Sequence, residues 1–155
     1  MKILIFGLPG SGKTTLAKPL AKLLNGIHIN ADVIRTSYND WDFTKEGRMR
    51  QAQRMKHLAD GVLMAGRIAV ADFVCPTEAA RAEFAPDYTV WMDTIKEGRF
   101  EDTNAMFENP LHCNYHVSEW FEDTHAQLVK VVQNYMKNQD DIKNGRIAGA
   151  TTERL

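Results

Sequence analysis

Gly7-Leu8-Pro9-Gly10-Ser11-Gly12-Lys13-Thr14, near the start of a 155-residue chain, fits the pattern G-x-x-x-x-G-K-[ST]. The pattern describes a turn whose backbone N–H groups point inward and, with the positive end of the following helix, form a seat for phosphate oxygens. Its flanks suit that role. Lys2-Ile3-Leu4-Ile5-Phe6 is an apolar run that predicts a buried parallel strand. Thr14 to Leu24 predicts a helix with Leu16, Leu20 and Leu23/Leu24 on one face, ended by Asn25-Gly26. Pro19 inside it should bend it or cost it a hydrogen bond. Gly7 to Thr15 is therefore the expected seat of ATP, with Lys13 on its terminal phosphates and the Thr14 hydroxyl a ligand for Mg²⁺.

Outward from that loop, apolar runs alternate with helical periodicity, which predicts an α/β domain with a parallel sheet. Strands are expected at Ile27–Asn30, Ile68–Asp72, Tyr88–Asp93 and Tyr115–Val117. A long helix capped by Thr44 should run to about Ala65 on a core face of Met49, Ala52, Met55, Ala59 and Val62. A short helix is expected from Thr77 to Phe84. The last helix is expected to be capped by Ser118, with Glu119 and Glu122 in its first turn and Phe121, Thr124, Leu128, Val131/Val132 and Tyr135 buried. Residues 1–137 read as one domain, and residues 138–155 as a polar, loosely held tail.

Nineteen Lys and Arg against twenty Asp and Glu leave a net charge of −1, which argues against a general nucleic-acid footprint. Two cysteines, Cys75 and Cys113, are too few for a disulfide framework, and no secretory signal or membrane-length apolar run is read. The expectation is a cytoplasmic protein with no membrane partner. His112, His116 and His125 have no metal-site spacing.

Several further residues belong on the ligand-binding edge of such a sheet. Asp32 and Arg35 follow the second strand, where open α/β sheets bind ligands. Asp32 is a candidate base for an acceptor hydroxyl, or a Mg²⁺ partner. Arg35 and Arg48 are candidates for an anionic acceptor, whereas Arg50 reads as solvated surface. Ile68-Ala69-Val70-Ala71-Asp72 has the Walker B form, with Asp72 able to hold Mg²⁺ through water. Residues 96–115, polar and interrupted, are expected to form a mobile lid that brings Arg99 onto the transferring phosphate.

Taken together, these residues resemble the P-loop small-molecule kinases, and adenylylsulfate (APS) kinases most of all, from Lys2 to about Asp93. The likeness rests on the phosphate loop, on Asp32-x-x-Arg35, on Phe43-Thr44 with Arg48 and Arg54 in the following helix, on Gly66, and on Phe73-Val74-Cys75-Pro76. It implies a three-layer α/β/α domain with about five parallel strands in the order 2-3-1-4-5. It implies that Phe43 and Phe73 sandwich the adenine of adenylylsulfate while Arg35 and Arg48 hold its phosphosulfate end. Cys75 stands in that acceptor wall where the family has Ser. Asn30 replaces an acidic residue, Gln51 an Asn, and only Arg99 survives of the family's lid motif.

The expected activity is transfer of the ATP γ-phosphate to the 3′-hydroxyl of adenylylsulfate. Lys13, Asp32 and Arg99 are its catalytic residues, and ATP and a small anionic acceptor its partners. A homodimer is left open. Two alternatives stand beside this reading. Asn30-x-Asp32-x-x-Arg35 also resembles polynucleotide 5′-hydroxyl kinases. From another class, a P-loop nucleotide switch would need a water-orienting residue, and none is identifiable in the sequence.

Overall fold

A computed structural model describes residues 1–145. Five strands form one sheet: β1 (Lys2–Gly7), β2 (Ile27–Asn30), β3 (Ala69–Asp72), β4 (Tyr88–Met92) and β5 (Tyr115–Val117). All pairings are parallel and the order is β2-β3-β1-β4-β5, as expected. Six helices accompany them: α1 (Lys13–Leu23), α2 (Ala31–Tyr38), α3 (Lys45–Met64), α4 (Glu78–Phe84), α5 (Glu101–Met106) and α6 (Thr124–Lys143).

The alternation of side chains along β1 divides the core in two. Ile3 and Ile5 pack with Val70, Val90 and Met92 against Leu16 and Leu20 of α1 and Leu128 and Val132 of α6. Leu4 and Phe6 face the other way, onto Ala52, Met55 and Ala59 of α3 and Phe84 of α4. Every residue of β1 is buried, which fits a central strand covered on both faces.

Register then sets the working edge. Asn30 pairs with Asp72, Ile5 with Asp72, and Gly7 with Met92, so the ends of β2, β3 and β1 lie side by side. Because side chains alternate, His28 and Asn30 share one face of β2, opposite Ile29. Asp72 shares that face on β3 with Val70. This is the α1 side, so a polar patch closes one end of an otherwise apolar layer.

Some boundaries differ from expectation. Helix α6 begins at Thr124 and not at Ser118. Residues 118–123 turn instead, and the Phe121 N–H donates to Thr124 Oγ1 at 2.9 Å. Phe121 and Val131 are consequently exposed, and Val129 joins Leu128 and Val132 on the buried stripe. The helix also runs past residue 137 to Lys143, so residues 138–143 belong to it. The remainder of the expected tail, residues 146–155, lies outside the described residues. Pro19 is accommodated within α1, which remains one helix. On α3 the buried face is Gly47, Arg48, Gln51, Ala52, Met55 and Ala59, while Met49 and Val62 are only partly covered.

Candidate active site

The phosphate loop is held from below. Gly7 sits so close to β4 that a Cβ would lie 2.4 Å from the Met92 carbonyl oxygen, so no larger residue fits. Gly12 has φ +96° and caps α1 from the left-handed region, which turns the first N–H groups of the helix toward the loop. The Thr94 hydroxyl donates to the Ser11 carbonyl at 2.7 Å and ties the loop to the end of β4. Ser11 itself is buried, and its Oγ has no hydrogen-bond partner. Leu8 faces a neighbouring small cavity and not the main one.

A cavity of about 510 Å³ opens above this loop. Pro9, Gly10, Gly12, Lys13, Thr14 and Thr15 line one side. Asp32, Arg35, Phe43, Arg48, Phe73 and Cys75 line the other, with Asp72 between them and Arg99 overhead. Of the residues expected to bind ATP, acceptor or metal, Gly7, Leu8 and Ser11 do not line it; they belong to the loop's support beneath.

The charges in the cavity are arranged by burial. Lys13 Nζ donates to the Leu8 carbonyl at 3.0 Å. Desolvation pushes its pKa down to about 8, against the opposing pull of Asp72 and Asp32, and the positive charge of Arg99 lowers it further. The same interaction means that Arg99, though exposed, projects its field onto Lys13. Asp32 stands exposed in the first turn of α2, and its carboxylate takes part in none of the hydrogen bonds or ion pairs among the described residues. The cap of that helix is Asn30, whose Oδ1 accepts from the Val33 N–H at 3.1 Å. Asp32 is thereby left free of capping.

Asn30 works in two directions. Its Nδ2 donates to Thr14 Oγ1 at 3.2 Å and approaches Asp72 Oδ1 at 3.3 Å. The Thr14 hydroxyl in turn donates to Asp72 Oδ1 at 3.0 Å. His28 Nε2 makes a short contact with the other oxygen, Asp72 Oδ2. Hard oxygens from Thr14 and Asp72 beside a phosphate seat suit Mg²⁺, which is held by few protein ligands and by phosphates. No group of three or more His, Cys, Asp or Glu gathers among the described residues to hold a metal alone.

The opposite wall is cationic and aromatic. The Arg35 guanidinium lies 4.4 Å from the centre of the Phe43 ring and that of Arg48 5.3 Å from it. Arg35 donates to the Asp40 and Asp42 carbonyls at 3.0 and 3.2 Å. Arg48 donates to the Phe43 carbonyl at 3.1 Å and to Thr103 Oγ1 at 2.8 Å, which joins the wall to the segment above it. Burial lowers the pKa of both; Arg48 lowers that of Arg35 further, while Asp102 opposes the shift at Arg48. Arg50 is not an isolated surface charge. It bridges Asp40 and Asp42 at 2.9 Å each and, with Arg54, holds the Asp40 carboxyl well below its usual range.

Phe73 lies against Phe84 edge-on at 5.6 Å. Cys75, 2% exposed, has φ +45°, a conformation costly for a residue with a Cβ. Burial pushes its thiol far up, so it is a small wall residue and not a nucleophile.

Residues 94–114 cross over the cavity and include α5. Asn104 closes the turn at Gly98 through two hydrogen bonds, of 2.7 and 3.0 Å. The far end is fixed by Arg81, a residue without an assigned role in the sequence reading. Its guanidinium donates to the carbonyls of Cys75, Pro76 and Glu108 at 3.0, 3.2 and 2.6 Å. It also lies 4.4 Å from the Phe6 ring and 5.1 Å from that of Phe107. His28, Thr103 and Arg81 were legible only as polar residues and Asn30 only as part of a family motif; the partners that give His28, Asn30 and Thr103 their roles lie far away in sequence.

Residues 3–89 match the family described as an AAA domain, more than half of the chain. The chain belongs to this family. The P-loop domain is also 38% identical over 81 residues to a probable adenylyl-sulfate kinase of Aeropyrum pernix. That match takes in 48% of this chain and 44% of the relative, so the chain spans less than half of the relative's length. The fold is similar to that of the Mycobacterium tuberculosis APS kinase solved with AMPPNP and APS, with a TM-score of 0.70, 15% identity and coverage of 85% of this chain and 96% of that one. An unliganded sugar kinase from Janibacter sp. has a TM-score of 0.65 at 17% identity, covering 88% and 94%. The fold is that of P-loop kinases, and the likeness includes APS kinases. No helix among the described residues is long and apolar enough to cross a membrane.

Proposed function

We propose that the chain is an ATP-dependent phosphotransferase whose acceptor is adenylylsulfate. One observation carries this reading: a single cavity joins the phosphate loop to a wall of Arg35, Arg48, Phe43 and Phe73. A hydrolase, whose acceptor is water, does not need a second anion-binding wall opposite its phosphate seat. A transferase with an anionic second substrate does, and a ring-bearing anion suits the two aromatics. The curated relative's name points to the same acceptor.

In the proposed reaction the loop N–H groups and Lys13 hold the β- and γ-phosphates. Mg²⁺, held by Thr14 and Asp72, would neutralise charge shared between those phosphates. Asp32 orients the acceptor 3′-hydroxyl and takes its proton as the oxygen attacks the γ-phosphorus. The bond to the β-phosphate oxygen breaks, giving ADP and phosphoadenylylsulfate. Arg99 and Lys13 balance the charge on the phosphoryl group in flight, and positioning supplies most of the rate.

The test is a coupled assay of ATP consumption that offers adenylylsulfate, nucleosides and 5′-hydroxyl oligonucleotides in parallel. Adenylylsulfate-dependent ADP release is expected. Stimulation by oligonucleotide alone would replace this acceptor with a polynucleotide end, and acceptor-independent hydrolysis alone would make the chain a nucleotide switch.

A further inference from the structure

Asp72 receives more support than a metal-facing carboxylate needs from its strand alone. One oxygen accepts from Thr14 Oγ1 at 3.0 Å, with Asn30 Nδ2 nearby at 3.3 Å. The other is contacted by His28 Nε2. The Asp72 side chain is 3% exposed and that of His28 18%, so solvent has little share in this contact. His28 arrives there by register: it lies two residues before Asn30 on β2, on the same face, and Asn30 pairs with Asp72.

A carboxylate can only accept here, so Nε2 carries the hydrogen and the ring is aimed by the strand. With both oxygens committed, the carboxylate plane cannot rotate about its terminal torsion, a soft two-fold rotation when unsupported. Thr14 then has its proton directed at Asp72 Oδ1 and one lone pair accepting from Asn30 Nδ2, which leaves its other lone pair for a cation.

We propose that His28 is a positioning residue for the cation site, fixing the Asp72 carboxylate so that Thr14 and Asp72 present preoriented oxygens to a nucleotide-bound divalent cation. This rests on the phosphotransferase reading, since it needs a metal–nucleotide complex on the loop. It assigns His28 no contact with substrate. Outer hydrogen-bond partners of this kind are worth about 10- to 100-fold in metal affinity.

The experiment measures Mn²⁺ binding by electron paramagnetic resonance, with a non-hydrolysable ATP analogue, in the wild type, His28→Leu and His28→Gln. Thermal melts confirm that each is folded. Leu keeps the bulk and removes the donor; Gln restores an N–H donor. His28→Leu is expected to weaken Mn²⁺ binding about tenfold. Affinity for the metal-free analogue and KM for the acceptor should be unaffected, and His28→Gln should recover most of the loss. Equal Mn²⁺ affinity in all three proteins, or equal loss in both variants, overturns the proposal and leaves the phosphotransferase reading intact. Absence of nucleotide-dependent Mn²⁺ binding in the wild type overturns both.

Discussion

On one side of the cavity, Pro9, Gly10 and Gly12 to Thr15 come from a single short stretch, whose two glycines leave backbone open to it. On the other side, Arg35, Phe43, Arg48 and Phe73 come from four separate segments and present side chains. The first wall is rigid by construction, with Gly7 pressed against Met92 and Ser11 tied to Thr94. The second depends on arginines spending hydrogen bonds on carbonyls of loops that the same arginines hold in place. A wall of backbone recognises what every nucleoside triphosphate shares. A wall of side chains can change its ligand by changing a few residues. Substitutions should therefore separate the two sides.

The largest separation is expected at Lys13→Ala, which under the proposed mechanism removes a charge that acts on the phosphoryl group in transit. Turnover should fall about 10³-fold with the melting temperature little changed; near-normal turnover would remove Lys13 from the mechanism. Asp32→Asn comes next. A lost base should lower kcat about 10²-fold while ATP affinity holds, as measured by calorimetry. Loss of ATP affinity alone would make Asp32 a metal residue.

Arg35→Ala and Arg48→Ala should raise the acceptor KM roughly tenfold each, the worth of one charged hydrogen bond, and leave ATP binding intact. Equal effects on both substrates would dissolve the distinction between the walls.

The smallest effect is in pH. Free Lys13 titrates at about 8 and bound phosphate restores its charge, so ATP affinity should fall as pH rises above 8. Binding at pH 8 should take up about half a proton, read by calorimetry in buffers of different ionisation enthalpy. The fold responds in the opposite sense. Between about 8 and 10.5 the unfolded chain holds the Lys13 proton that the folded chain has lost, so this group's contribution to stability rises with pH.

The same contrast governs what could be read in advance. The phosphate loop was legible because its chemistry is contiguous and its glycines have few other reasons to be there. The sheet followed from apolar runs, and its order from resemblance. On the acceptor side, Arg35, Phe43, Arg48 and Phe73 could be named, but not how they are held. The Arg48 partner Thr103 lies 55 residues away and the His28 partner Asp72 lies 44 away. Such pairs leave no periodicity behind. Helix α6 was misplaced for a related reason: Ser118, Glu119 and Glu122 have the composition of a first turn, yet Thr124 takes the hydrogen bond that sets the start.

Arg81 makes the two ends of the overlying segment mechanically unequal. Its grip on the Pro76 and Glu108 carbonyls, with Phe107 stacked on Phe6 at 6.4 Å, turns the trailing end into a fixed pivot. The leading end, residues 96–100, is held by the Gly98–Asn104 clasp, the approach of Pro9 and an exposed Lys96–Asp93 ion pair at 3.6 Å, none of them a buried cation fixed by three carbonyls. An opening about that pivot would widen the cavity first above Lys13 and last beside Cys75, so under the proposed function the nucleotide side is expected to clear before the acceptor side.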